Sequence, residues 1–117
     1  MKELHEAEAL FFSFRAGGIG YVVPLEAVLR VSAHAPAETP VVSFGGKPYC
    51  YLLVRGAQDV LALAIETAEG LSEIEPAHQF ELPADAHSAE NRCLAGVCLQ
   101  NDRLYYLLDC SALEEAR

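Results

Sequence analysis

Positive charge is scarce in this sequence. Its 117 residues carry 8 Lys and Arg against 17 Asp and Glu, for a net charge of −9. Nucleic acids are gripped mainly by basic groups that neutralise phosphates, so the balance argues against that class of partner. An anionic membrane surface repels such a chain for the same reason. Long apolar runs are missing too, since no stretch approaches the ~20 residues that a membrane helix needs. The opening Met-Lys-Glu-Leu-His-Glu-Ala-Glu is acidic rather than basic-then-apolar. No signal peptide is visible in it, and a cytoplasmic protein is expected.

Chemistry-bearing motifs are equally hard to find. Cys50, Cys93, Cys98 and Cys110 form no Cys-x-x-Cys pair. In a reducing compartment, thiols set in apolar strands behave as small hydrophobes. Their spacings, with those of the four histidines, match no common ligand pattern, so neither metal nor cofactor is expected. None of the serines sits in a Gly-x-Ser-x-Gly elbow. A Cys–His nucleophile pair need not be adjacent in sequence. However, His34, His78 and His87 fall in connectors or loops and His5 in a frayed start, where imidazoles are solvated. Gly17-Gly18-Ile19-Gly20 lacks the spacing of a phosphate-cradling loop and reads as a tight turn. Between Glu66 and Glu90 stand seven carboxylates and no Lys or Arg. They fit no calcium loop and read as a solvated acidic face able to steer a basic partner.

What is present is apolar and short-ranged. Hydrophobic residues make up 52% of the chain, ample for the core of one domain spanning residues 1–117. The organising stretch is Tyr49 to Glu66. Tyr51–Val54 and Val60–Ile65 flank the polar turn Arg55–Asp59, the pattern of a β-hairpin. Leu and Ala would also suit a helix over 60–65, but the shortness of the run and the adjoining turn favour a strand. Both faces of that second strand are apolar, so it should be covered on both sides.

Leu10–Arg15 alternates as a strand, with Leu10, Phe12 and Phe14 expected to face inward, and Ala16-Gly17-Gly18 turns it back into Ile19–Val23. From Pro24 the period changes. Leu25, Val28 and Leu29 have helical spacing, predicting one helical turn that runs into a short strand ending at Val31. Ser32–Pro40 is a connector with two prolines, and Val41–Phe44 a short strand turned by Gly45-Gly46. Gly70-Leu71 and Ile74 continue the sheet, and residues 76–92 form an exposed acidic loop. Cys93–Leu99 and Arg103–Leu108 are joined by the turn Gln100-Asn101-Asp102. Ser111-x-x-Glu114 has capping-box spacing, predicting a short closing helix. With about seven short strands and little helix, the class is all-β, a small barrel or a pair of them.

The order of these segments resembles the CheW-like domain, the family of the bacterial chemotaxis adaptor and of the regulatory domain of its histidine kinase. Three passages carry the likeness. Leu10 to Val31 is similar to the family's opening strand, turn, aromatic-x-apolar-Pro-apolar step and Val-x-Glu-Val ending, with Arg30 where the acid is common. Tyr51 to Ile74 is similar to its strand, Gly turn and apolar strand ending in an acid, here Glu66, followed by Gly70-Leu71. Leu94 to Leu113 is similar to its closing hairpin, with Leu107-Leu108-Asp109 as the Leu-Leu-Asp.

The resemblance implies two small five-stranded β-barrel subdomains sharing a hydrophobic core, a short C-terminal helix and no catalysis. It also implies docking on the kinase regulatory domain and on a chemoreceptor, with Val28, Arg30 and Glu66 as partner-binding residues. The family's Asn-Leu-Arg-Gly segment and the strand after it are replaced here by Ser32–Pro48 alone. One barrel is therefore expected to be reduced, which would remove a region the family uses for receptor contacts. An edge left uncovered invites self-association. The rival readings are a CheW-like interaction module in a non-motility pathway, and a thiol- or metal-dependent enzyme using Cys93, Cys98 or Cys110.

Overall fold

The computed structural model describes residues 9–74, 79–80 and 94–116. In chain order they form β1 (Ala9–Ala16), β2 (Ile19–Pro24), a single 3-10 turn (Leu25–Ala27), β3 (Val28–Ser32), β4 (Val41–Val42), β5 (Cys50–Arg55), β6 (Val60–Ile65), β7 (Thr67–Ile74), β8 (Gln79–Phe80), β9 (Leu94–Gln100), β10 (Arg103–Leu108) and the helix α1 (Cys110–Ala116). The strands build two sheets. One has the order β7-β1-β2-β10-β9-β8, the other β3-β5-β6-β4.

Local sequence explains the hairpins. Gly17 and Gly18 both take positive φ, 61° and 81°, in a two-residue turn of the primed kind whose twist matches that of the strands it joins. Asn101 (φ 53°) and Asp102 (φ 64°) do the same between β9 and β10, so this turn is one residue shorter than the Gln100–Asp102 expectation. The hairpin of β5 and β6 pairs Cys50 with Ile65 through to Arg55 with Val60, and Leu61 to Ile65 are all buried. That is the strand covered on both faces that the apolar run predicts.

The main core lies between the sheets. Phe14, Val23 and Leu108 of the larger sheet meet Leu52, Val54, Leu61, Leu63 and Ile65 of the smaller one, with Leu113 of α1 closing the side. A second, smaller core of Phe11, Val22, Ile74, Cys98 and Tyr105 fills the opposite face of the larger sheet. That sheet curls on itself. Ser72 on β7 is hydrogen-bonded to Gln100 on β9 although β1, β2 and β10 stand between them in the ladder. Gln100 also accepts the Ser13 hydroxyl at 3.2 Å, and the Tyr105 hydroxyl donates to Glu69 of β7 at 2.7 Å. Arg15 pairs with the same carboxylate at 3.3 Å. Polar side chains thus line one end of a barrel-like curl whose described strands do not close by ladder pairing.

Four expectations are corrected. Leu10, Phe12 and Phe14 do not share an inner face equally. Phe14 is fully buried, Phe12 half-buried and Leu10 exposed, while Phe11 fills the second core. The cause is that β1 lies between β2 and β7 and has a core on each side, with a bulge at Ser13/Phe14. The strand expected over Val41–Phe44 stops at Val42. Helix α1 is capped by Asp109 rather than Ser111, since the Ser111 N–H donates to Asp109 Oδ1 at 3.0 Å. Within the expected acidic loop, Gln79 and Phe80 pair with Cys98 and Val97 as β8. The rest of that loop, Cys93 and residues 1–8 lie outside the described residues. The smaller sheet has four strands, of which β4 has two residues.

Among the described residues, no helix is long and apolar enough to cross a membrane.

Candidate docking surface

Among the described residues, strand β3 is an edge, paired with β5 alone. A bulge between Val28 and Arg30 shifts its register, so that Val28 faces Val54 while Arg30 faces Leu53. The shift turns Leu29 outward beside Val31, and both are exposed. Val28 is half-buried and packs on the main core, whereas Arg30 is exposed. The unpaired side of this strand offers a partner backbone groups, two apolar side chains and one cation.

Glu66 has a different environment. Its backbone N–H donates to the Arg15 carbonyl at 2.8 Å, tying the end of β6 to β1 of the other sheet. Its carboxylate accepts the Gly18 N–H at 3.3 Å. The same carboxylate abuts Gly46, where a Cβ would overlap it, and a Cβ on Gly17 would overlap the Phe44 carbonyl oxygen. Two glycine turns, one from each sheet, therefore interlock around Glu66, which they hold half-buried. Phe14, Tyr21 and Phe44 pack behind this junction with ring centroids 5.0–6.1 Å apart.

Register places the three residues. Arg30 lies opposite Leu53, and Leu53 opposite Ala62, whereas Glu66 follows β6 at its far end. An offset of four residues along the strand and two strand spacings puts Arg30 and Glu66 on the order of 15 Å apart. Val28 and Arg30 share one edge and Glu66 belongs to the junction between the sheets. Leu29 and Val31 were not among the expected contacts. Their exposure follows from the bulge and from edge position, neither of which a linear apolar pattern records.

The described thiols, Cys50, Cys98 and Cys110, sit in apolar surroundings. Burial pushes Cys98 and Cys110 up to about 11 and raises Cys50 as well, with Asp109 adding to the shift at Cys110. At neutral pH they are protonated, which suits packing rather than nucleophilic attack. An open cleft of about 350 Å³ between the 3-10 turn, β5 and the start of α1 carries Glu26, Arg55 and Asp109 on an apolar floor that includes Pro24, Ala27 and Leu108. Among the described residues no group of three or more His, Cys, Asp or Glu is placed to hold a metal ion.

No family model matches the sequence, and no curated protein matches it either. Solved structures do. The chain superposes on the scaffolding protein CheW of Thermoanaerobacter tengcongensis with a TM-score of 0.70, over 91% of this chain and 92% of that one, at 13% identity. The fold is CheW-like. In this CheW-like fold the edge strand β3 and the interlocked glycine turns mark opposite ends of the smaller sheet. The main core, drawn from both sheets, is the shared core that the sequence resemblance implies, but the sheets have six and four strands rather than five each.

Proposed function

We propose that this chain is a non-enzymatic, cytoplasmic scaffold module of chemotaxis-type signal transduction that docks on a histidine-kinase regulatory domain, a chemoreceptor, or both. The observation that carries this reading is the likeness to a scaffolding protein across nine-tenths of the chain. An exposed edge strand supports it, because such an edge recognises protein by backbone pairing and apolar contact. Arg30 and Leu29 are the side chains on that edge best placed to touch a partner. Val28 acts from behind, by fixing the bulge. Glu66 serves docking indirectly, by setting one sheet against the other.

The test is a pull-down of the purified chain against a kinase regulatory domain and a receptor cytoplasmic tip. Retention of at least one is expected. Arg30→Glu should weaken it about tenfold, the usual effect of reversing a contact charge at an interface, with the circular-dichroism spectrum unchanged. Failure to retain either partner overturns the reading.

A further inference from the structure

Strand β3 has one occupied side and one open one. β5 takes the first, and among the described residues nothing pairs along the second. Pairing there is confined to Val28–Ser32, because the residues before it, Leu25–Ala27, are wound into the 3-10 turn. On this short edge Leu29 is 41% and Val31 45% exposed. Arg30 lies across from Leu53, so it stands on the opposite face from Val31, which lies across from Leu52 of the main core. No carboxylate pairs with Arg30 among the described residues. The charge around it is unlike that of the chain. From the start of β3 to the end of β5 the sequence has Arg30, Lys47 and Arg55 against Glu38 alone, whereas the whole carries −9.

We infer that the open side of β3 takes an extended segment of a partner protein in which apolar and acidic residues alternate. The inference rests on the docking role proposed above and names the chemistry of the partner. An added strand continues the pleat, so its alternate side chains fall beside Arg30 and beside Val31. A carboxylate meets the guanidinium on one face, and an apolar side chain covers Val31 on the other. Two other occupants fit less well. A second copy of β3, run antiparallel over the same strand, would set Arg30 beside Arg30, and like charges directly opposite are destabilising. The other edge of the smaller sheet, β4, has two residues and is too short to template the whole of β3. Charge on an edge strand is a common guard against self-pairing, and here the same charge selects an acidic partner.

Fluorescence anisotropy of a fluorescein-labelled peptide, Ser-Val-Glu-Val-Glu-Val-Ser, titrated with the full chain at ~0.05 M NaCl tests this pairing. Two further probes are the same peptide with Lys in place of Glu, and the acidic peptide N-methylated throughout, which removes its backbone donors. The acidic peptide should bind at least about tenfold more tightly than the basic one, and N-methylation should abolish binding. Arg30→Glu should invert the preference between the two peptides. Arg103→Glu, at an exposed arginine of the larger sheet, should leave it unchanged. Both positions are exposed, and circular dichroism verifies that the variants keep the fold. Equal or tighter binding of the basic peptide overturns the inference. So does an N-methylated peptide that still binds, a preference that survives Arg30→Glu, or no binding of the acidic peptide. A chain that retains a kinase domain or receptor but rejects the acidic peptide sinks this inference alone. One that binds the peptide yet retains neither protein sinks the functional reading alone.

Discussion

Single side chains carry most of what is specific here, and the buried cysteines tie stability to pH. Folded Cys98 and Cys110 hold their protons to about 11, against 9.0 for the unperturbed thiol. Tyr105 is raised in the same direction, mainly by burial and then by its hydrogen bond to Glu69. A raised folded value means that the stabilisation is complete below the unfolded pKa and disappears as pH rises through the folded one. The melting temperature should therefore be flat to about pH 9 and fall between pH 9 and 11. In Cys98→Ala that fall should be shallower, as read by thermal melts across the range. Glu66 shows the limit of reading residues one at a time. Its place at the end of an apolar strand is plain in the sequence, but the glycine turns around it come from positions 17–18 and 45–46 and meet only in three dimensions.

Among the elements, the hairpins were the most legible because their information is local. An apolar run, a turn residue and a returning run specify β1–β2, β5–β6 and β9–β10 without help from the rest of the chain. What stayed hidden depends on pairing between distant segments. The second core behind β1, the early end of β4 and the pairing of β8 with β9 require neighbours that no periodicity names. The cap of α1 is ambiguous in the sequence for a related reason. Asp109 and Ser111 are both good capping residues, and the end of β10 decides between them by placing Asp109 at the helix start. The β9–β10 turn offers a test of the local logic. Both its residues have positive φ, and Asp102 holds it without a glycine's freedom. Asp102→Gly should stabilise the protein by a few tenths to about 1 kcal/mol, measured by urea denaturation, since Asn-Gly is the preferred pair for this turn.

For the molecule as a whole, the decisive feature is a core drawn from both sheets. Phe14, Val23 and Leu108 of the larger sheet are packed in one core with Leu52, Leu61 and Leu63 of the smaller one. Neither sheet can lose the other and stay dry, so thermal unfolding should be one transition that coincides by far-UV circular dichroism and by labelling of Cys98. Leu63→Ala, in the smaller sheet, should cost about 2–5 kcal/mol. It should also expose Cys98, in the larger sheet, at the same lowered temperature. Two separate transitions would contradict the shared core.

The parallel pairing of β2 with β10 has a consequence for how the protein is made. The first hairpin leaves the ribosome with both flanks open, and the strand that completes its β2 side comes only at Arg103–Leu108, long after β7 has covered β1. Until that late piece arrives, the early ribbon displays bare backbone beside Tyr21 and Val22. Assembly is thus paced by the slowest kind of encounter, between residues far apart in the chain, and a cell making this protein has to shield the waiting edge.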